Sequence, residues 1–240
     1  MSRIFLSSLL ACLLLLVGVT VAPAQDRTRE AREVASFAEV SLSVPGTLHL
    51  RQGEPRSVEI EASPKVLDHL ETTVDDGQLE IRDESNVLER MFGGERDWGK
   101  IDVYVTTPTI EKVSLAGSGS VVGETLIEAS SLTLENAGSG DMDLEVSATD
   151  LSTSIAGSGT MRLRGTADRV HVRIAGSGTV QALDLTVATA EIEVTGSGDT
   201  QLRVTDQLSA RIIGSGDVEY SGSPDIDRTI IGSGDVRSVE

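Results

Sequence analysis

The triplet Gly-Ser-Gly occurs seven times in this chain, beginning at Gly117, Gly138, Gly157, Gly176, Gly196, Gly214 and Gly232, at steps of 21, 19, 19, 20, 18 and 18 residues. A unit of about 19 residues is too short to bury a core of its own, so repeats of this length must stack on one another. Aligned on the triplets, the residues two before them are Leu115, Asn136, Ile155, Ile174, Val194, Ile212 and Ile230, and the residues two after are Val121, Met142, Met161, Val180, Thr200, Val218 and Val236. The positions one further out on either side are mostly polar. Apolar and polar columns therefore alternate with period two, which is the signature of strands with one face buried. Because equivalent residues recur at a near-constant step, each strand is expected to pair in parallel with its equivalent in the next repeat, about 4.8 Å away. The fold expected is all-β: a single-stranded, right-handed parallel β-helix of about 19 residues per coil, with Gly-Ser-Gly as its corner. Asn136 interrupts the inward column. Either it bonds inside the coil or its rung is shifted, and the long 21-residue step before it fits a bulge.

The first 24 residues form a separate unit. Arg3 is followed by an apolar run, densest from Leu9 to Val17, and then by Ala22-Pro23-Ala24. This is the layout of a secretory signal peptide cleaved after Ala24, and the run is short for a membrane span of about 20 residues. The chain's one cysteine, Cys12, lies inside this segment. The expected mature chain is thus free of cysteine and must be held by burial and backbone pairing alone. It carries one positive charge fewer than the full chain, whose net charge is −18. With no basic patch, nucleic acid is excluded as a partner, and no membrane span is expected in the mature chain. Localisation is read as exported: periplasm, outer envelope or extracellular.

Residues 25–36 read as a charged leader, flexible or loosely helical. The domain proper is residues 37–240, divided into N-terminal strands and cap (37–110) and repeat coils (111–240). Alternating runs such as Val40 to Val44 and Thr47 to Arg51 are separated by turn signals at Pro45-Gly46 and Asp75-Asp76-Gly77. A short helical turn is expected near Pro64, capped by Ser63. Asp83 to Lys100 breaks the rhythm and carries Met91, Phe92 and Trp98. It is read either as a partner-contact loop through those three residues or as a cover over the end of the stack.

The opening from Phe37 to Arg51, the strand Val103-Tyr104-Val105-Thr106-Thr107-Pro108, the first Ala116-Gly117-Ser118-Gly119 and the Gly-Ser-Gly-Asp rungs together resemble the GIN domain family, DUF2807, named for an auto-transporter adhesin head. The resemblance covers about residues 37–236. It implies an exported β-helical protein and assigns no catalytic residues.

Several features invite chemistry. Gly-Ser-Gly-Asp occurs four times, and Asp199, Asp217 and Asp235 stand on consecutive rungs, where a carboxylate ladder could hold calcium. The same position holds Ser120, Thr160 and Thr179 elsewhere, which points instead to short polar side chains bonding the corner's backbone. No catalytic residues and no cofactor are expected, with calcium kept open at those three aspartates. The serines lack the strand-to-helix elbow and histidine partner of a nucleophile. His49, His69 and His171 are isolated, and His171 reads as outward-facing. Outward carboxylates alternate with Arg162, Arg164, Arg173, Arg203 and Arg211, as expected where opposite charges stack on a sheet.

The function expected is that of an exported, non-enzymatic structural or adhesin-like binding module of the cell envelope. An envelope protein or polysaccharide is the expected kind of partner. The alternatives are a carbohydrate-active enzyme on the same scaffold or a calcium-stabilised coil. Self-association through the C-terminal rung is open as well, because Thr229 to Glu240 has no evident cap and an open edge pairs readily; Asp235, Arg237 and Glu240 are the charges expected to oppose it.

Overall fold

A computed structural model describes residues 27–84 and 98–239. The segment expected to be a signal peptide, the contact candidates Met91 and Phe92, and Glu240 lie outside the described residues. No helix among the described residues is long and apolar enough to cross a membrane.

The seven triplets are the corners of a parallel solenoid. Strands β10 (Ile127–Gly138), β11 (Asp141–Gly157), β12 (Thr160–Gly176), β13 (Thr179–Gly196) and β14 (Asp199–Gly214) each end at a corner, and all but the first also begin at one. Each pairs in parallel with its successor, and the register joins equivalent residues: Ile155 to Ile174, Ile174 to Val194, Gly157 to Gly176. The last coil is made by β15 (Asp217–Ser221), β16 (Asp225–Gly232) and β17 (Asp235–Ser238), which continue the two sides of the stack. The inward columns form one core, in which Leu134, Met142, Leu144, Met161, Val172, Ile192 and Leu202 are buried.

Asn136 does not shift its rung. It pairs in register with Leu115 and Ile155, and its side-chain amide donates to the Gly140 carbonyl at 2.7 Å. The extra residues of the long step lie elsewhere. Val122 pairs with Asp143 and Ile127 with Val146, so the excess is taken up in the turn between them, where Leu126 is exposed.

The N-terminal third does not stack in chain order. β2 (Glu39–Leu42) and β3 (Thr47–Gln52) make one rung, with Pro45-Gly46 at its corner. β8 (Lys112–Gly117) and β9 (Ser120–Gly123) lie on one side of this rung, and β6 (Gln78–Asp83) and β7 (Asp102–Thr107) on the other. The first rung in sequence is therefore the second in space. Trp98, the contact candidate that is described, is half-buried shortly before β7 and packs against the core.

Antiparallel strands finish this end. β5 (Leu70–Asp75) forms a hairpin with β6 through Asp76 and Gly77, both at positive φ. β4 (Ser57–Ala62) pairs with β7 and in turn with β1 (Thr28–Ala31). The stretch expected to be a flexible or loosely helical leader thus contributes an edge strand. Its arginines match the acidic residues of β4, with Arg27 on Glu61 at 3.0 Å and Arg29 on Glu59 at 2.6 Å. The helical turn is α1 (Pro64–Leu67), which buries Val66 and Leu67 against the core. Ser63 precedes it but makes no side-chain cap; its carbonyl accepts the Val66 and Leu67 amides instead.

At the other end, the inward row Leu134, Thr153, Val172, Ile192, Ala210 finishes in Arg228. The inward row of the last rung thus ends on an exposed arginine.

Candidate functional site

The corners are geometric devices. The first glycine of each triplet has φ between 101° and 140°. At Gly157 a Cβ would also sit 2.2 Å from the Gly138 carbonyl oxygen, so the rungs could not approach. The triplet serines face solvent. From Ser139 onward each donates its backbone N–H to the carbonyl of the first triplet glycine one rung back, at 2.8–2.9 Å. None of this presents a nucleophile.

The aspartate ladder is spent on the same backbone. The Asp199 carboxylate accepts the Asp217 amide at 2.9 Å, that of Asp217 accepts the Asp235 amide at 3.0 Å, and that of Asp235 accepts the Val236 amide at 2.8 Å. Arg237 adds an ion pair to Asp217 at 3.2 Å. Among the described residues no cluster of three His, Cys, Asp or Glu side chains is placed to hold a metal ion.

A polar cluster that the strand pattern left unmarked lies beside the N-terminal rungs. Asp102 is 3% exposed. Arg27 bonds it, Lys100 lies 3.0 Å away, and His49 Nε2 lies 3.5 Å away. His49 Nδ1 faces Glu124 at 3.4 Å, and its ring stacks on Tyr104 with centroids 4.7 Å apart. Arg29 sits 4.0 Å from the centre of the Tyr104 ring. Burial pushes the Asp102 carboxyl up, but hydrogen bonds from Lys100, Arg27 and His49 outweigh it and hold the group below the usual carboxylate range. The cluster clasps β1, β7, β3 and the turn after β9, which is a structural task.

A recess able to receive another molecule runs along the stack rather than across it. One outward row reads Ser131, Asp150, Arg169, Thr189, Gln207, Asp225, and the row two residues on reads Thr133, Ser152, His171, Glu191, Ser209, Asp227. Between them lies the inward row Leu151, Val170, Ala190, Leu208. Two successive outward residues, such as Asp168 and Arg169, turn the strand here, and the trough follows that turn. It comprises two adjoining stretches of about 250 and 510 Å³ that meet at Thr189 and Glu191. Over six rungs its length is about 24 Å.

Within the trough Arg169 forks onto Asp150, with Nε and Nη2 at 2.5 and 2.8 Å, and holds that carboxyl below its usual range. His171 meets Glu191 through Nδ1 at 3.1 Å. Ser152, His171 and Glu191 follow one another on consecutive rungs, in the order of a nucleophile, base and orienting acid. His171 Nε2, however, has no hydrogen-bond partner. The surrounding strands pair on both sides, so their amides are committed to the ladder and offer no donors for an oxyanion. Elsewhere on the outer surface charges pair between rungs as expected, with Arg164 to Asp143 at 2.7 Å and Arg173 to Glu193 at 2.8 Å.

The overall fold is shared with other proteins. Residues 36–224 match the family described as DUF2807, "Putative auto-transporter adhesin, head GIN domain". The chain belongs to this family. Among solved structures, a protein described as a putative adhesin from Bacteroides fragilis is similar at 23% identity and a TM-score of 0.83, covering 90% of this chain and 99% of that one. A putative lipid binding protein from Parabacteroides distasonis is similar at 24% identity and a TM-score of 0.70, covering 90% and 97%. A putative adhesin from Parabacteroides merdae is similar at 21% identity and a TM-score of 0.70, covering 89% and 96%. At these identities the likeness is one of fold. No curated protein matches the chain.

Proposed function

We propose that this GIN-domain protein is an exported, non-enzymatic, adhesin-like binding module of the cell envelope, and that it meets its partner along the lateral trough. The two adjoining recesses that span six rungs are the observation that carries this reading. The trough is extended, and polar side chains recur along both its rims. The commitment of the backbone amides around Ser152, His171 and Glu191 to the ladder, and the engagement of Asp143, Asp150 and Glu193 by arginines of neighbouring rungs, favour binding over hydrolysis. The apolar run and Ala22-Pro23-Ala24 support export. Self-association through the last rung stays outside this reading, because pairing there would bury the Arg228 charge.

The test is binding of the exported chain to envelope material from the producing cell. Ser152→Trp and Ser209→Trp fill the trough from outward positions and are expected to abolish binding, while Ser139→Trp on the triplet edge leaves it intact. Equal binding by all three would refute the reading. Mass measurement of the exported chain is expected to show that residues 1–24 have been removed.

A further inference from the structure

We propose that the trough takes an extended neutral glycan, laid along the stack at about one sugar unit per rung; this rests on the trough being the binding surface. A ligand lying across parallel strands meets the same pair of side-chain positions at every step of about 4.8 Å. It must therefore be a linear polymer whose own repeat is of that order. The backbone amides and carbonyls beneath it, short of the last rung, are committed to the parallel ladders, so within the stack a peptide could not add to the sheet as another strand. Recognition is left to side chains, and those available are hydroxyls, an amide and carboxylates: Ser152, Thr189, Gln207, Ser209, Asp225 and Asp227. These are the groups that exchange hydrogen bonds with sugar hydroxyls.

Charge decides the class further. Arg169 is held by Asp150, and His171 by Glu191, while Asp225 and Asp227 carry no ion pair among the described residues. The trough is thus acidic, and an anionic polysaccharide is repelled. The inward row of Leu151, Val170, Ala190 and Leu208 is buried in the core, so apolar contact with a sugar ring is left to Ile226, exposed where that row ends. Among the described residues no Phe, Tyr or Trp side chain lines the trough, so each unit contributes little and affinity must come from engaging many rungs at once.

The experiment measures binding of the exported chain to neutral β-linked gluco- and manno-oligosaccharides of two to eight units, with alginate and a lysine decamer as charged comparators. The expected result is binding of a neutral series, with affinity rising at least tenfold between two and six units and then levelling off. It should be insensitive to salt, fall at least tenfold in Ser209→Trp, which blocks the trough, and fall about two- to threefold in Gln207→Ala, which removes one contact among many. Salt-sensitive binding of the lysine decamer alone would overturn the glycan assignment while keeping the trough as the site. Trough-dependent binding to envelope material with none to any neutral glycan would overturn it in the same way. Glycan binding unchanged in Ser209→Trp would overturn both the assignment and the site.

Discussion

The Arg228 guanidinium donates to the Val236 carbonyl at 3.0 Å, from one side of the last coil to the other. Arg228 occupies an inward position, above Ala210, where an apolar residue would leave an uncovered face with Ile226 and Ile230. A charge pointing into the end of a sheet guards against edge-to-edge pairing. Arg228→Leu is therefore expected to produce concentration-dependent dimers in sedimentation velocity, with the parent chain monomeric at the same concentrations. A monomeric variant would remove this role from Arg228.

Gly157→Ala combines a φ of 134° with a Cβ placed 2.2 Å from the Gly138 carbonyl oxygen. The expected loss is about 3 kcal/mol or more, which for a chain of this size lowers the thermal midpoint by about 6–12 °C. Gly53→Ala is the matched control. Its Cβ meets only the Thr106 methyl at 3.9 Å, so it should stay within about 0.5 kcal/mol of the parent. Equal losses would mean that close approach at the corners does not govern stability.

Asp102 makes stability depend on acid. Its folded pKa is lowered, so its contribution is fully present above the usual carboxylate range, near about pH 4, and is lost as pH falls through the depressed folded value. Asp102→Asn is expected to cost about 1–3 kcal/mol at about pH 7, since Arg27 and Lys100 lose their counter-charge. The gap from the parent should then narrow as pH falls below about 4. Urea unfolding from neutral pH down to about pH 2 measures this, and a constant gap would contradict it.

The carboxylates of Asp199, Asp217 and Asp235 already accept backbone amides. Thermal unfolding should give the same midpoint in calcium and in chelator, because a ligand that binds only the folded state raises the midpoint. A rise with calcium would restore the ladder as a metal site.

The repeat coils are legible in the sequence because glycine and alternation each report a local constraint: a positive φ at Gly138, an inward side chain at Ile155. What alternation does not encode is which strand lies next to which. Nothing in Gln78 to Asp83 says that it underlies Glu39 to Leu42, so the displaced first rung is invisible there. Asp102 reads as an ordinary outward residue of β7, and it is covered by Arg27 beside β1 together with His49 of β3 and Lys100, groups that alternation does not bring together. Arg228 stands four residues before its triplet and so has inward parity, but an arginine at an inward position signals a cap only once the row is known to end there. The trough escapes notice because it depends on where each coil turns. Doublets such as Asp168-Arg169 mark that turn, but they carry no glycine to announce it.

That the trough meets the partner, and not the triplet edge or the N-terminal rungs, is tested most directly by carboxyl footprinting of the exported chain, free and bound to envelope material. Binding should shield Glu191, Asp225 and Asp227 from modification and leave Asp199, Asp143 and Glu59 labelled as in the free chain. Shielding of Asp199 or Glu59 with Glu191, Asp225 and Asp227 unchanged would contradict it.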